Sequence, residues 1–417
     1  MRAFLRGCVL TAAIVMLAAC GSGDLLSNAS MSPAAISPNG DGSADATLIH
    51  YELSRNASIT IQLTGADGRV YYFRRDQPRS AGKYDVLFGG VIDGQLLPDG
   101  VYTWTIEATD RAGQIRQPAQ GQLTISGGES AAPKITLMTV FPKEFTPNQD
   151  GISDRVKINV VLSKPATLFV SLQNQLCHGA STPPADNPAL DCTPFPLSET
   201  EGAARQPGEA GLHLFDYDAG VDLGADPPPD GQYVITARAE DAIGQTDIAT
   251  DTLTIKDGGV PRAEIVDGAV QFSARSLVLG QTLYFTLTVE NYSAVPIRTS
   301  GPPPGYVYTN TDQTFNWPGY AEESGVWRVG IGFETMKTNY PFRWAVGGAA
   351  DLITTEIDGQ KYYYLPPNAR AVITGGITLT EIPQRNPVNF FAALIHEDVE
   401  IAPINQNVDP QPVLVLK

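Results

Sequence analysis

The chain is 417 residues long and carries 28 Lys and Arg against 45 Asp and Glu, a formal net charge of −17. So acidic a chain repels phosphate backbones and anionic bilayers, which excludes nucleic acid and a negatively charged membrane surface as partners. The length accommodates about two to four domains.

The first element in chain order is MRAFLRGCVLTAAIVMLAACGSGD. Arg2 and Arg6 precede an apolar run from Val9 to Leu17, and small residues follow. This is the layout of a secretory signal, too short to span a bilayer. Its ending, Leu17-Ala18-Ala19-Cys20-Gly21, resembles the bacterial lipobox. The resemblance implies cleavage before Cys20, diacylation of its thiol, and a new amine open to acylation. Residues 1–19 are then a lipoprotein signal peptide and 20–33 a flexible tether. Two or three acyl chains hold a protein stably where one is marginal. The expected location is therefore the cell membrane, lipid-anchored on the extracytoplasmic face, with the bilayer as a partner through Cys20. Losing Arg2 and Arg6 with the signal takes the net charge from −17 to −19.

Beyond the signal, helical periodicity is nearly absent. Alternating runs replace it: ASITIQLTG, VYTWTIEATD, KINVVLS, TLFVSLQ, QYVITARAED and TLYFTLTVEN. Short alternating strands between Gly, Pro and Asn turns predict an all-β chain of sandwich domains.

A repeat organises these strands. SPNGDGSAD begins at Ser37, and TPNQDGISD begins at Thr146, 109 residues later. Leu53-Ser54 answers Leu162-Ser163, and Ala81-Gly82 answers Ala210-Gly211. Pro98-Asp99-Gly100 with Tyr102 answers Pro229-Asp230-Gly231 with Tyr233. Asp110 and Gly113-Gln114 answer Asp241 and Gly244-Gln245. The offset grows to 131, and the 22 added residues are a Cys-bearing insertion and its surroundings. With Cys8 lost with the signal and Cys20 acylated, Cys177 and Cys192 remain, 15 positions apart in CHGASTPPADNPALDC. Outside the cytoplasm such a pair reads as a disulfide, worth about 3 kcal/mol by loop-closure entropy. Cys177 beside His178 does not match a zinc spacing.

The shared pattern, S/T-P-N-x-D-G-x-x-D, then A-G, then P-D-G-x-Y, then A-x-D-x-x-G, resembles the bacterial FlgD-type immunoglobulin-like domain. The resemblance covers roughly residues 34–127 and 140–256, which sets the expected domains at 34–128 and 133–257. It implies a β-sandwich in each copy, acting as a spacer, assembly or attachment module without enzymatic activity. No other hook-cap feature is present, so a flagellar role does not carry over.

Two chemistries compete for the doubled loop. Asn39, Asp41, Ser43 and Asp45 place oxygens at i, i+2, i+4 and i+6, and Asn148, Asp150 and Asp154 repeat the spacing with Ile152 in place of the serine. Oxygen ligands at alternate positions around a sharp glycine turn are what a Ca²⁺ loop needs. Asn and Asp also build Asx turns with no metal, and no Glu closes an EF-hand here. The Asp99-Gly100 and Asp230-Gly231 pairs read as hairpin turns.

Residues 261–417 are not a third copy. LGQTLYFTLTVENYSAVPI resembles the opening of bacterial surface immunoglobulin-like modules. An intracellular proteinase-inhibitor-like β-sandwich belongs to the same loose group, and both stay open. LPPNARAVITGGITLTEI reads as a Pro-Asn turn and a long strand, and NFFAALIHED and PVLVLK as closing strands. The domain holds Trp317, Trp327 and Trp344, with Tyr320 and Phe342 in the loop-like stretches FNWPGY and NYPFRW. Aromatic loops on a sandwich stack on sugars or enter a partner, or else form satellite cores. Trp317, Tyr320, Phe342 and Trp344 are the candidate ligand or partner surface.

Enzyme constellations fail. The histidines, His50, His178, His213 and His396, fall in different segments, and HEDVE is not HExxH. The expected protein has three tandem immunoglobulin-like sandwiches behind a lipid anchor, the first two forming a stalk. It is not an enzyme. It acts as a structural or adhesion module with a surface protein partner, or as a glycan-binding protein using the aromatic loops.

Overall fold

The computed structural model describes residues 24–110, 118–180, 182–200, 208–312, 314, 316 and 318–417. Cys20, Gly113 and Gln114 lie outside them. Among the described residues the fold is strands and loops with three short 3₁₀ turns. It divides into two compact units. One runs to Pro133 and includes Glu240–Asp247; the other comprises Lys134–Ala239 and Ile248–Lys417.

The first domain contains β1 (Leu26–Ser32), β2 (Ala35–Ile36), β3 (Thr47–Leu53), β4 (Ala57–Thr64), β5 (Val70–Arg79) and β6 (Gly82–Phe88). A small hairpin follows, β7 (Val91–Ile92) with β8 (Gln95–Leu96), then β9 (Gly100–Thr109) and β10 (Ala119–Ile125). Sheets β1-β3-β6 and β2-β10-β9-β4-β5 face each other. Strand β4 alternates buried and half-buried residues along its whole length. Its Ile59, Ile61 and Leu63 pack with Ile49, Tyr51 and Ile106 in one core. Each such side chain contributes about 1.5–3 kcal/mol by leaving water. The tether expected over 20–33 is shorter than the sequence suggests. Leu25 is fully buried and β1 pairs with β3 from Leu26 onward. Its buried, half-buried and exposed residues do not alternate, so it does not read as a strand from sequence.

The second domain repeats the order. It has β11 (Ile135–Phe141), β12 (Glu144–Phe145), β13 (Val156–Leu162), β14 (Thr167–Asn174), β15 (Phe195–Leu197), β16 (Gly211–Tyr217), β17 (Gly231–Glu240) and β18 (Thr246–Ile255). Sheets β11-β13-β16 and β12-β18-β17-β14-β15 match those of the first domain strand for strand. In both domains a two-residue strand runs parallel to the last long strand, β2 on β10 and β12 on β18.

The Asp-Gly pairs correct the hairpin expectation. Gly100 and Gly231 open strands that pair with later and earlier strands, not with the one just before them. Tyr102 and Tyr233 donate their hydroxyls to Pro98 O and Pro229 O, each at 2.7 Å. This is the tyrosine corner of an immunoglobulin-like sandwich. Asp99 accepts from the backbone N–H of Gly127, and Asp230 from that of Asp257, where the chain leaves each domain. The motif therefore closes a corner and ties down an exit.

The third domain contains β19 (Ala263–Phe272), β20 (Ser276–Val278), β21 (Thr282–Asn291), β22 (Ile297–Thr299), β23 (Val307–Thr309) and β24 (Trp327–Phe333). It continues with β25 (Phe342–Ala345), β26 (Ile353–Ile357), β27 (Gln360–Leu365), β28 (Arg370–Thr378), β29 (Val388–His396) and β30 (Val408–Leu416). A sheet β19-β21-β28-β23 covers a larger one, β20-β30-β29-β24-β22-β27-β26, with β25 paired to β24. The closing strands read from NFFAALIHED and PVLVLK are β29 and β30, paired antiparallel.

Candidate functional site: the doubled loop and its socket

The two loops share one internal scaffold. In the first, Asp45 Oδ1 accepts from the N–H groups of Asn39 and Gly40 at 2.9 Å, and Oδ2 from that of Gly42 at 2.7 Å. Asn39 Oδ1 accepts from Asp41 N, and Asp41 Oδ1 from Ser43 N. In the second, Asp154 accepts from Asn148 and Gly151, Asn148 from Asp150 N, and Asp150 from Ile152 N. These are nested Asx turns closed by an aspartate. The carboxylate and amide oxygens of both loops accept backbone N–H groups, the bonding that Asx turns need without a metal. Among the described residues no group of three or more His, Cys, Asp and Glu is placed to hold a metal ion. At Asn39, Asp41, Ser43, Asp45, Asn148, Asp150 and Asp154 the structure shows turn architecture, and the Ca²⁺ reading stays an expectation.

The surroundings of the two loops differ. Asn39, Asp41 and Ser43 are exposed. Backbone N–H bonds, that of Asn39 foremost, hold the Asp45 carboxyl below its ordinary value. The second loop is received by the third domain. Tyr364 donates its hydroxyl to Asp150 Oδ2 at 2.9 Å, and Arg298 Nη1 donates to Asp150 O at 2.6 Å. His396 Nε2 donates to Gln149 O at 2.8 Å, its ring stacked on Trp327 with centroids 4.3 Å apart. Gly151 (φ +81°) lies so close that a Cβ there would fall 2.1 Å from Ser324 O. A Cβ on Gly325 (φ +79°) would fall 2.2 Å from the Asp150 carbonyl carbon. Glycine is required on both sides of the joint, by conformation and by space.

Burial sets the charges in the joint. It raises the Asp150 carboxyl above its ordinary value, against the pull of Tyr364 and Arg298. It raises Asp154 to about 6, aided by the like charge of Asp150, and pushes His396 down to about 4. Beneath the socket, Glu397 receives two bonds of 2.7 Å from Arg343 Nη1 and one of 3.3 Å from Arg328 Nη1. Arg328 also donates to Ser300 O and Ala321 O. The Glu397 carbonyl accepts from Gly325 N, so this buried charge cluster holds the segment that receives the loop.

Sequence reasoning missed this socket. The available signal was charge inside apolar runs: Arg328 in WRVGIGF, Arg343 in FRWA, and His396-Glu397 at the end of NFFAALIHE. Charges there must be paired to be tolerated.

The aromatic surface expectation is also corrected. Phe342 and Trp344 are fully buried, and Trp344 Nε1 donates to Tyr306 O at 3.0 Å. Both belong to the third domain's core with Tyr308 and Trp327. Tyr320 is half-buried, and Trp317 lies outside the described residues. NYPFRW reads as a loop because Pro breaks it, yet its last residues form β25 against β24.

Cys177 and Cys192 are bonded, as the cysteine count implies, with Cα atoms 5.2 Å apart. His213 is buried on β16 between Glu199 and the Glu209 carbonyl. No helix among the described residues is long and apolar enough to cross a membrane.

The sheet order and the paired tyrosine corners define a chain of immunoglobulin-like β-sandwiches. No protein-family model matches it, and no curated protein matches it in sequence. Among solved structures, alpha-2-macroglobulin of E. coli aligns over 94% of this chain and 23% of its own, with 12% identity and a TM-score of 0.19. This chain therefore spans under a quarter of that protein. A tetra-tandem repeat from the extending region of a large adhesion protein aligns over 86% and 80%, with 12% identity and a TM-score of 0.18. A two-domain fibronectin type-III segment of chicken tenascin aligns over 55% and 99%, with 9% identity and a TM-score of 0.18. Overlays this loose have no bearing on function.

Proposed function

We propose that the chain is a lipid-anchored, extracytoplasmic structural or adhesion module. In this reading two FlgD-type immunoglobulin-like domains carry a third sandwich that meets a surface protein, and the chain has no catalytic role. One observation carries it. The motif that the sequence writes twice spends its polar groups on architecture, and in the second copy on a joint between domains. A buried joint with glycine on both faces fixes one domain against the next, which is what a spacer or presenting module requires. The lipobox resemblance at Cys20 supplies the anchor.

Metabolic labelling with palmitate tests the anchor. Label on the wild type that disappears in Cys20→Ala supports it; no label on either chain removes it. Crosslinking on intact cells tests the partner. Recovery of one reproducible surface protein supports adhesion, and crosslinks to lipid alone leave a purely structural role.

A further inference from the structure

The two repeated domains differ most at one sheet edge. In the first domain that edge is β5, ten residues long and paired to β4. In the second it is β15, three residues paired to the middle of β14. The Cys177–Cys192 insertion lies in the chain between β14 and this shortened edge strand. Between the insertion, β15 and the Pro227–Pro229 turn lies a groove of about 620 Å³, within the range of ligand sites.

Its chemistry is one-sided. Phe195 is 55% exposed, and its ring lies 6.2 Å from that of Tyr217. Phe195 thus presents an aromatic face in a lining that is otherwise largely proline and small apolar residues, and a contiguous apolar patch of this kind marks an interaction site. Prolines 194, 196 and 227–229 add apolar rings and carbonyl acceptors but no N–H donors. Asp191 and Asp226 stand in its lining, and neither has a cationic partner among the described residues. Among the described residues no Lys, Arg or His lines it. An occupant must therefore bring apolar side chains, donors and positive charge.

We propose that this groove binds an extended, apolar peptide segment of a partner protein that carries lysine or arginine. The segment lies along the shortened edge at β15, its apolar side chains against Phe195 and Tyr217 and its cation toward Asp191 and Asp226. The disulfide-bearing insertion of the second copy thus contributes one wall of a recognition site on a scaffold that folds without it in the first.

The test is fluorescence polarisation on the full chain with two labelled peptides, Arg-Leu-Pro-Leu-Pro-Leu-Arg and its counterpart with Glu at both ends. Saturable binding of the arginine peptide, with the glutamate peptide at least about tenfold weaker, is expected. Phe195→Ser weakens binding about tenfold through loss of the aromatic anchor. Asp226→Lys weakens it severalfold, and less at high salt. Both positions are exposed, and an unchanged melting curve verifies each fold. Equal binding of both peptides, no saturation, or unchanged affinity in both variants overturns the proposal. If a variant fails to fold, the peptide charge swap on the wild type still decides.

Discussion

The loops Asn39–Asp45 and Asn148–Asp154 share their hydrogen-bond lattice and differ in what lies beyond it. The first leaves Asn39, Asp41 and Ser43 exposed, with nothing within 4 Å of a Cβ built on Gly42, and touches a neighbour only at Gly40, where a Cβ would lie 3.3 Å from that of Ala242. The second, at the equivalent Gly151, meets Ser324 O at 2.1 Å, and its Asp150 takes bonds from Tyr364 and Arg298. A motif that closes a turn in one copy became one half of an interdomain joint in the other. The difference teaches that local geometry and use are separable. Asx turns give the loop its shape, and the neighbour gives it a role.

The largest expected effect removes the ground under the socket. Glu397→Gln removes the buried carboxylate that the Arg328 and Arg343 guanidiniums share, which costs about 3–5 kcal/mol. Urea denaturation followed by fluorescence of Trp327 and Trp344 measures it; a loss under about 1 kcal/mol breaks the argument that the cluster supports the joint.

The matched glycines come next. Gly151→Ala introduces a left-handed alanine and a clash with Ser324 O, expected at about 3 kcal/mol. Gly42→Ala carries only the conformational strain, about 1 kcal/mol. Equal losses in the two variants, by thermal denaturation, make the joint irrelevant.

A smaller effect separates the matched aspartates. Tyr364→Phe deprives buried Asp150 Oδ2 of its donor, at about 1–3 kcal/mol. Asp41→Asn, at the exposed equivalent, stays within about 0.5 kcal/mol. Hydrogen exchange over residues 146–154 should quicken in Tyr364→Phe and stay unchanged in Asp41→Asn.

The finest distinction is the sign of the pH dependence. Asp45 is depressed below 3.8, so its contribution is present above that pH and lost as pH falls through the folded value. Asp154 is raised from 3.8 to about 6, so its contribution is present below 3.8 and lost as pH rises through 6. His396, lowered from 6.5 to about 4, opposes it: its contribution holds above 6.5 and is lost as pH falls toward 4. Asp154→Asn should therefore gain on the wild type as pH rises from 4 to 6, and Asp45→Asn should lose ground as pH rises toward 3.8 and stay level above it. Parallel pH profiles for the two variants would falsify the assignment of burial to one loop alone.

Much of the fold was legible in the chain. Period-two patterns in ASITIQLTG and KINVVLS place β4 and β13 because one face of each is buried. The repeated Pro-Asp-Gly-x-Tyr marks the same corner twice, although its turn type does not follow from the dipeptide. β1 was illegible because its side chains do not alternate. Trp344 and Phe342 misled because Pro341 looks like a loop breaker, while β25 begins immediately after it.

The sequence by itself determined the all-β class, the duplication, the insertion and its disulfide, since each follows from local periodicity, spacing or residue count. Only the tertiary structure decided that Asp150 is buried and Asp41 exposed. The partners that bury Asp150 lie 148 and 214 residues away in sequence, at Arg298 and Tyr364. No local pattern carries that distance. Hydrogen bonding within each loop is short-range and repeats with the motif, whereas desolvation depends on which surface the rest of the chain brings against it.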